Sequence, residues 1–332
     1  MMFSYWLAAA GAALATTPVV AGPNPLVVDV APAPIIDAPV IDGQTITDEV
    51  PIGTDHGDRM TVDVSVGGRG PYRFLVDTGA ERTIISRQLA KRLQLEGGKA
   101  AVLHSVIGRN DVQTVFIPHL KISSNTISVI DAPALEAANI GADGMLGIDS
   151  LKSQRVLFDF KAKTMSITPA NQPLARMDGE TVVVRARSRN GRLIFTSARI
   201  DNQPVIVIVD TGSQVTIGNM ALQRSLMRRK LLSVPDPVTI ESVTGEKLSA
   251  RISMLKRLEI GDVHIDDLAV AFADAHIFDQ LDLENKPALL LGMNAMRAFD
   301  RISIDFAAKK VHFVLPRTSM APQFRLASAG GI

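Results

Sequence analysis

The chain has 332 residues, enough for two domains of ordinary size. Hydrophobic residues make up 46% and charged residues 21%, so each half can bury a core, and with aromatics at 5% that core is built mainly from Val, Ile, Leu, Ala and Met. A net charge of +1 carries no electrostatic footprint for nucleic acid or an anionic membrane, and the lack of cysteine excludes disulfides, thiol catalysis and zinc–thiolate sites.

The six histidines are scattered, with no pair at the helical spacing of a zinc protease. No metal or cofactor is expected. His104, His119, His264, His276 and His312 read as surface or strand residues rather than ligands.

Residues 1–21, MMFSYWLAAAGAALATTPVVA, combine an apolar stretch with small residues before Ala21. That pattern predicts a secretory signal peptide cleaved near Ala21, although no Lys or Arg precedes the apolar stretch. A buried helix, or a membrane anchor if cleavage fails, is the alternative. Residues 22–50 are rich in Pro, Val and Asp and show no helical period, which predicts an extended linker or an arm on the first domain.

From there the chain contains itself twice. The first copy alternates over Thr61 to Val66, turns at Gly67 to Pro71, and runs through Tyr72-Arg73-Phe74-Leu75-Val76 into Asp77-Thr78-Gly79-Ala80. The second runs over Ile194 to Ile200, turns at Asp201 to Pro204, and passes through Val205 to Val209 into Asp210-Thr211-Gly212-Ser213. Each copy predicts a hairpin whose second strand ends on Asp-Thr-Gly.

The match continues in order. An amphipathic helix is predicted over 86–95, with Ser86 as its N-cap, and another over 219–231. Ser105-Val106-Ile107-Gly108 matches Ser242-Val243-Thr244-Gly245. Gly144-Met145-Leu146-Gly147-Ile148 matches Leu289-Leu290-Leu291-Gly292-Met293. Val156-Leu157-Phe158-Asp159-Phe160 matches Ile302-Ser303-Ile304-Asp305-Phe306. The offset between copies grows from 133 at the Asp to 145 at the Gly, so the second copy holds about a dozen extra residues, expected within 272–285. These landmarks predict a first lobe over 51–172, a second over 173–317, and a small polar tail over 318–332, expected to be disordered.

A lone Asp-Thr-Gly is an ordinary turn. Two at equivalent points of a repeat are different, because a pseudo-twofold brings both carboxylates face to face. A pair that close shares one proton. The ionised member, Asp77 or Asp210, can then act as general base on a water, while the protonated member donates to a substrate carbonyl. Thr78 and Thr211 can hydrogen-bond across the axis, and Gly79 and Gly212 let backbone amides approach the carboxylates. Thr78, Gly79, Ala80, Thr211, Gly212 and Ser213 are therefore the expected active-site loop supports.

On these motifs the sequence resembles the retropepsin-like aspartic proteases of the pepsin-like clan, in a fused, two-lobed bacterial form, over residues 58–316. The resemblance implies an all-β fold: two homologous retropepsin-like lobes related by a pseudo-twofold, with short helices. It implies an aspartic-type endopeptidase acting on a polypeptide substrate, with no nucleic acid partner. The Met145-Leu146-Gly147 and Leu290-Leu291-Gly292 elements would pack behind the catalytic loops. It also implies flaps, with Gly108 and Gly245 as candidate tips, although neither a flap tyrosine nor a glycine-dense flap is present; tight surface turns are the alternative there. A single chain with both lobes is expected to be a monomer, and a dimer pairing lobes between chains is a further reading. A cleaved signal places the enzyme in the periplasm or outside the cell. The alternative function is a catalytically silent peptide-binding module of the same fold.

Overall fold

A computed structural model describes residues 61–122, 126–129, 131–173, 177–232 and 236–316 in full. Elsewhere it gives only the backbone of the strands Tyr5–Leu7, Ala13–Leu14, Asp48–Pro51 and Gly53–Thr54 and of Met60, Asn125 and Ile130. The expected signal cleavage site, most of the 22–50 arm and the 318–332 tail lie outside the described residues.

The protein is mostly strand, with six short helices among the described residues. Alternation builds the first strand of the first lobe. Val62, Val64 and Val66 are buried while Asp63 is exposed. The strands that lead to the Asp-Thr-Gly segments behave differently. Phe74, Leu75 and Val76, and likewise Val207, Ile208 and Val209, are all buried, because these strand ends are covered on both faces.

Each lobe threads one sheet in the same order. In the first, Met60–Val66 pairs with Arg69–Val76, which lies beside Gly144–Leu146, then Ile84–Ser86, Asn125–Leu135, Arg109–Ile122 and Gly97–His104. In the second, the order is Arg192–Ile200, Gln203–Val209, Ala288–Leu291, Thr216–Gly218, Val263–Phe272, Lys247–Ile260 and Asp236–Glu241. An extra pairing curls each sheet towards a barrel, Met60–Val66 with Arg109–Ile122 and Arg192–Ile200 with Lys247–Ile260.

The predicted helices appear as Arg87–Leu93 and Met220–Arg228. Ser86 caps the first, its Oγ accepting from Leu89 N at 3.1 Å, and Asn219 caps the second, its Oδ1 accepting from Leu222 N at 2.9 Å. The extra residues of the second copy are not all within 272–285, since the offset already reaches 137 between Ser105 and Ser242. The helix His276–Gln280 takes the place that Ala137–Ile140 has in the first lobe, and the longer connection follows it, where Asn219 Nδ2 donates to the carbonyls of Leu283 and Lys286.

A third sheet belongs to both lobes. Its order is Thr181–Arg185, Lys310–Val314, Arg301–Asp305, Gln154–Asp159, Thr164–Pro169 and Asp48–Pro51. The pseudo-twofold passes between its two central strands, where Leu157 faces Ser303. Arg155 opposes Asp305 and Asp159 opposes Arg301, and both pairs are ion pairs. The repeated closing motifs noted in the sequence are thus joined directly to each other.

Candidate active site

Asp77 and Asp210 lie one residue beyond strands Arg69–Val76 and Gln203–Val209, and both are fully buried. A central strand from later in each lobe fixes that position. Gly144–Leu146 runs parallel to Phe74–Val76, and Asp77 N donates to Leu146 O at 3.0 Å. Ala288–Leu291 runs parallel to Ile206–Val209, and Asp210 N donates to Leu291 O at 3.1 Å. The residue after each central strand is glycine because the Asp-Thr-Gly loop folds back onto it. A Cβ on Gly147 would lie 2.4 Å from the backbone of Arg82, and one on Gly292 would lie 2.6 Å from that of Val215.

The two loops are interlocked. Thr78 N donates to Thr211 Oγ1 at 3.0 Å, and Thr211 N to Thr78 Oγ1 at 3.1 Å. The hydroxyls then donate onward, Thr78 to Val209 O at 3.2 Å and Thr211 to Val76 O at 2.8 Å. All four bonds cross between lobes. They satisfy the buried threonine amides and hydroxyls that would otherwise be costly.

Each carboxyl turns one oxygen to its own loop. Asp77 Oδ1 accepts from Gly79 N at 2.7 Å and Ala80 N at 3.0 Å, and Asp210 Oδ1 accepts from Gly212 N at 2.9 Å. The other oxygens, Asp77 Oδ2 and Asp210 Oδ2, are buried and accept no hydrogen bond from the loops or any other group among the described residues. The two carboxyls perturb one another strongly. Burial raises Asp77 well above the usual carboxylate value, and the adjacent Asp210 charge raises it further. Burial lifts Asp210 to about 6, against the pull of Asp77, the Gly212 and Ser213 amides and Arg192. A buried carboxyl pair of this kind holds one proton between them across a wide pH range. The lobes press closely here, since a Cβ on Gly212 would fall 2.3 Å from the Asp77 carboxyl carbon.

A family model described as aspartyl protease matches residues 62–150 and again residues 196–295, together more than half of the chain. The chain belongs to the aspartyl protease family. No curated protein matches it. The two matched segments each hold one Asp-Thr-Gly loop and one central-strand glycine, so the fold is the two-lobed retropepsin-like form of that family.

Ala80 and Ser213 serve their loops through backbone carbonyls. Ile148 N donates to Ala80 O and Met293 N donates to Ser213 O, each at 2.8 Å. Behind each loop stands a threonine. Thr83 Oγ1 accepts from Gly147 N at 3.1 Å and donates to Asp149 Oδ1 at 2.8 Å. Thr216 does the same with Gly292 N at 3.2 Å and Asn294 Oδ1 at 2.8 Å. The sequence reading passed over this pair, although Thr83 and Thr216 carry the same offset of 133 as the aspartates.

Arg192 was also passed over. It opens strand Arg192–Ile200, two residues before Ile194, which pairs with Ile208. Its guanidinium is fully buried beside the aspartyl pair. Nη1 donates to Glu81 Oε1 of the first lobe at 2.8 Å, while Nε and Nη2 have no hydrogen-bond partner among the described residues. Its positive charge opposes the rise of both Asp77 and Asp210.

Gly108 and Gly245 lie in hairpin turns, as their motifs suggested, but the turns differ. The first closes with Ser105 N donating to Gly108 O at 2.7 Å, and the second with Ser242 N donating to Glu246 O at 2.9 Å. The second turn is therefore one residue longer, with Gly245 at φ +84°. The added residue, Glu246, reaches the other turn: its Oε2 accepts from Asn110 Nδ2 at 3.0 Å and Ser105 Oγ at 3.3 Å. His104 ends a strand, within the surface-or-strand expectation, whereas His276 departs from it by opening a helix. His104 is buried, and its Nδ1 lies 2.9 Å from Nε2 of His276 on the helix His276–Gln280 of the second lobe. Among the described residues no group of His, Asp and Glu is arranged to hold a metal ion.

Proposed function

We propose that this protein is an exported aspartic endopeptidase that hydrolyses peptide bonds of a protein substrate with a water activated between Asp77 and Asp210. The observation that carries the reading is the pair of buried carboxyls at equivalent strand ends, each with one oxygen bound by its loop and one left unengaged. Membership of the aspartyl protease family supports a polypeptide substrate.

The chemistry needs one proton shared by two carboxyls. The ionised carboxylate removes a proton from the water as it attacks the scissile carbonyl carbon. The protonated carboxyl donates to the carbonyl oxygen, giving a neutral gem-diol intermediate. As that intermediate collapses, the carboxylate left ionised by the first step takes back a hydroxyl proton, and the carboxyl that had gained the water proton gives it to the leaving nitrogen, which restores the singly protonated pair. The Thr78–Thr211 interlock and the loop amides hold this geometry without rearrangement during the reaction.

Hairpins Gly97–His104/Arg109–Ile122 and Asp236–Glu241/Lys247–Ile260 would serve as flaps over an extended substrate. Their outer strands are sheet edges that take extended backbone: Tyr5–Leu7 pairs with the first and Ala13–Leu14 with the second. Both segments fall within the signal sequence, so its removal would free these edges for substrate. Both halves of the site come from one chain, which supports action as a monomer.

The test is cleavage of an unfolded protein by the chain from Gly22 onward, between acid and neutral pH, beside Asp210→Asn. Cleavage by the native chain alone supports the reading. Peptide binding without cleavage by either would favour a silent binding module, and equal cleavage by both would remove the dyad from the mechanism.

A further inference from the structure

The hairpin whose turn is Ser105–Gly108 is fastened to the other lobe at two places. Its tip donates to Glu246 from Ser105 and Asn110. Its inner end is held by His104, whose ring stacks on that of His276 with centroids 5.2 Å apart and planes within 12°. The 2.9 Å separation of His104 Nδ1 and His276 Nε2 requires one imidazole to donate its N–H to the other. His276 opens the helix His276–Gln280, whose counterpart in the first lobe, Ala137–Ile140, carries no histidine. Nothing in the repeat or in the dyad chemistry calls for this pair.

We propose that the His104–His276 contact is a pH-sensitive latch, which holds the first hairpin on the second lobe near neutral pH and releases it on acidification. The proposal rests on the reading of these hairpins as flaps. The hydrogen bond survives with no proton added or with one, but not with two. A doubly protonated pair has two cationic rings stacked on each other and no acceptor between the facing nitrogens. Once apart, each ring takes its own proton. Opening therefore takes up a proton, and acid favours it.

The charged groups around the pair set the balance. Arg109 opposes His104 across the hairpin, and Asp279 Oδ2 lies 3.9 Å from His276 Nδ1. Glu246 stands at the tip beyond, engaged by Ser105 and Asn110. Burial, His276 and Arg109 together hold the His104 imidazole below its ordinary 6.5. Closure is then favoured above that value and is lost progressively as pH falls beneath it.

Amide hydrogen exchange across residues 97–116 of the full chain, corrected for intrinsic rates, reads the opening directly from pH 7.5 to 5. The native chain is expected to open more as pH falls, by up to about tenfold per pH unit for uptake of one proton. His276→Phe keeps a stacked ring but cannot take the second proton, so its opening is expected to be independent of pH. His104→Asn should behave the same way if His276→Phe does not fold. Glu246→Gln leaves both imidazoles and should keep the native pH dependence. A native profile that is flat, or one abolished by Glu246→Gln while His276→Phe retains it, overturns the latch. Exchange needs no substrate, so a chain that cleaves nothing would remove the peptidase reading and still decide this one.

Discussion

Arg192 of the second lobe donates to Glu81 of the first, four residues past Asp77. One fully buried guanidinium thus ties the two active-site loops together and faces both aspartates with its charge. Arg192→Met should cost about 2 kcal/mol, less than the ~3–5 kcal/mol of a fully buried pair, because the Glu81 side chain keeps 25% of its surface and can be hydrated. It should also let both dyad carboxyls rise, moving the acid limb of the pH–rate profile to higher pH. Urea unfolding and a pH–rate profile check the two effects, and a variant that lost activity with an unmoved limb would assign Arg192 a purely structural role.

The dyad predicts its own pH dependence. Folding lifts Asp210 from 3.8 to about 6, mainly by burial. The unfolded chain therefore gives up this proton at lower pH than the folded chain does. The native state loses stability as pH rises from about 4 to about 6, and the loss persists above that. Asp210→Asn, which cannot ionise, should be more stable than the native chain at pH 7 by the order of 2 kcal/mol, with the difference shrinking towards pH 4. Native activity should rise on the acid side through about pH 6, as the doubly protonated dyad loses its first proton.

The Thr78 hydroxyl makes two of the four cross-lobe loop bonds. Thr78→Val keeps the shape but leaves the Thr211 amide buried without an acceptor, a cost of about 1–3 kcal/mol. Thr78→Ser keeps the hydroxyl and should remain within ~1 kcal/mol of the native chain. Thermal unfolding separates these, and equal losses in the two variants would show that the methyl contact, not the hydrogen bonds, holds the loops.

Gly212 sits where its Cβ would strike the Asp77 carboxyl at 2.3 Å. Gly212→Ala must displace one loop or the other, and a shift of ~1 Å in a reacting group costs on the order of 100-fold in rate. Activity should fall by at least that factor while circular dichroism still reports the strand content. Unchanged activity would mean that the loops are looser than their hydrogen bonds imply.

Much of this site was legible because it is written twice. The aspartates, the interlocking threonines, the central-strand glycines and the capped helices each recur at matching points of the two copies. What escaped is where the copies differ or meet. Glu81 answers to Gln214 in the repeat, so the Arg192–Glu81 pair has no echo to reveal it. His276 stands on a helix whose counterpart, Ala137–Ile140, holds no histidine, and Glu246 is the one residue by which the second turn is longer. Comparing the halves finds what they share, whereas contacts between lobes are made by side chains that need not resemble one another. The central sheet shows the same blindness from another side, for its closing motifs were recognised as repeated but not as partners.

That sheet has a consequence for the ancestry of the molecule. Arg155 meets Asp305 and Arg301 meets Asp159, yet each lobe owns both kinds of group, Arg155 with Asp159 and Arg301 with Asp305. A lobe facing a copy of itself in this register would form the same two ion pairs along an antiparallel seam, as an isologous interface does. The seam is thus complementary to itself as well as to its neighbour. Covalent fusion keeps such a junction intact while releasing the two sides from having to be identical, and Glu246, Arg192–Glu81 and the His104–His276 pair are the asymmetries that freedom allows.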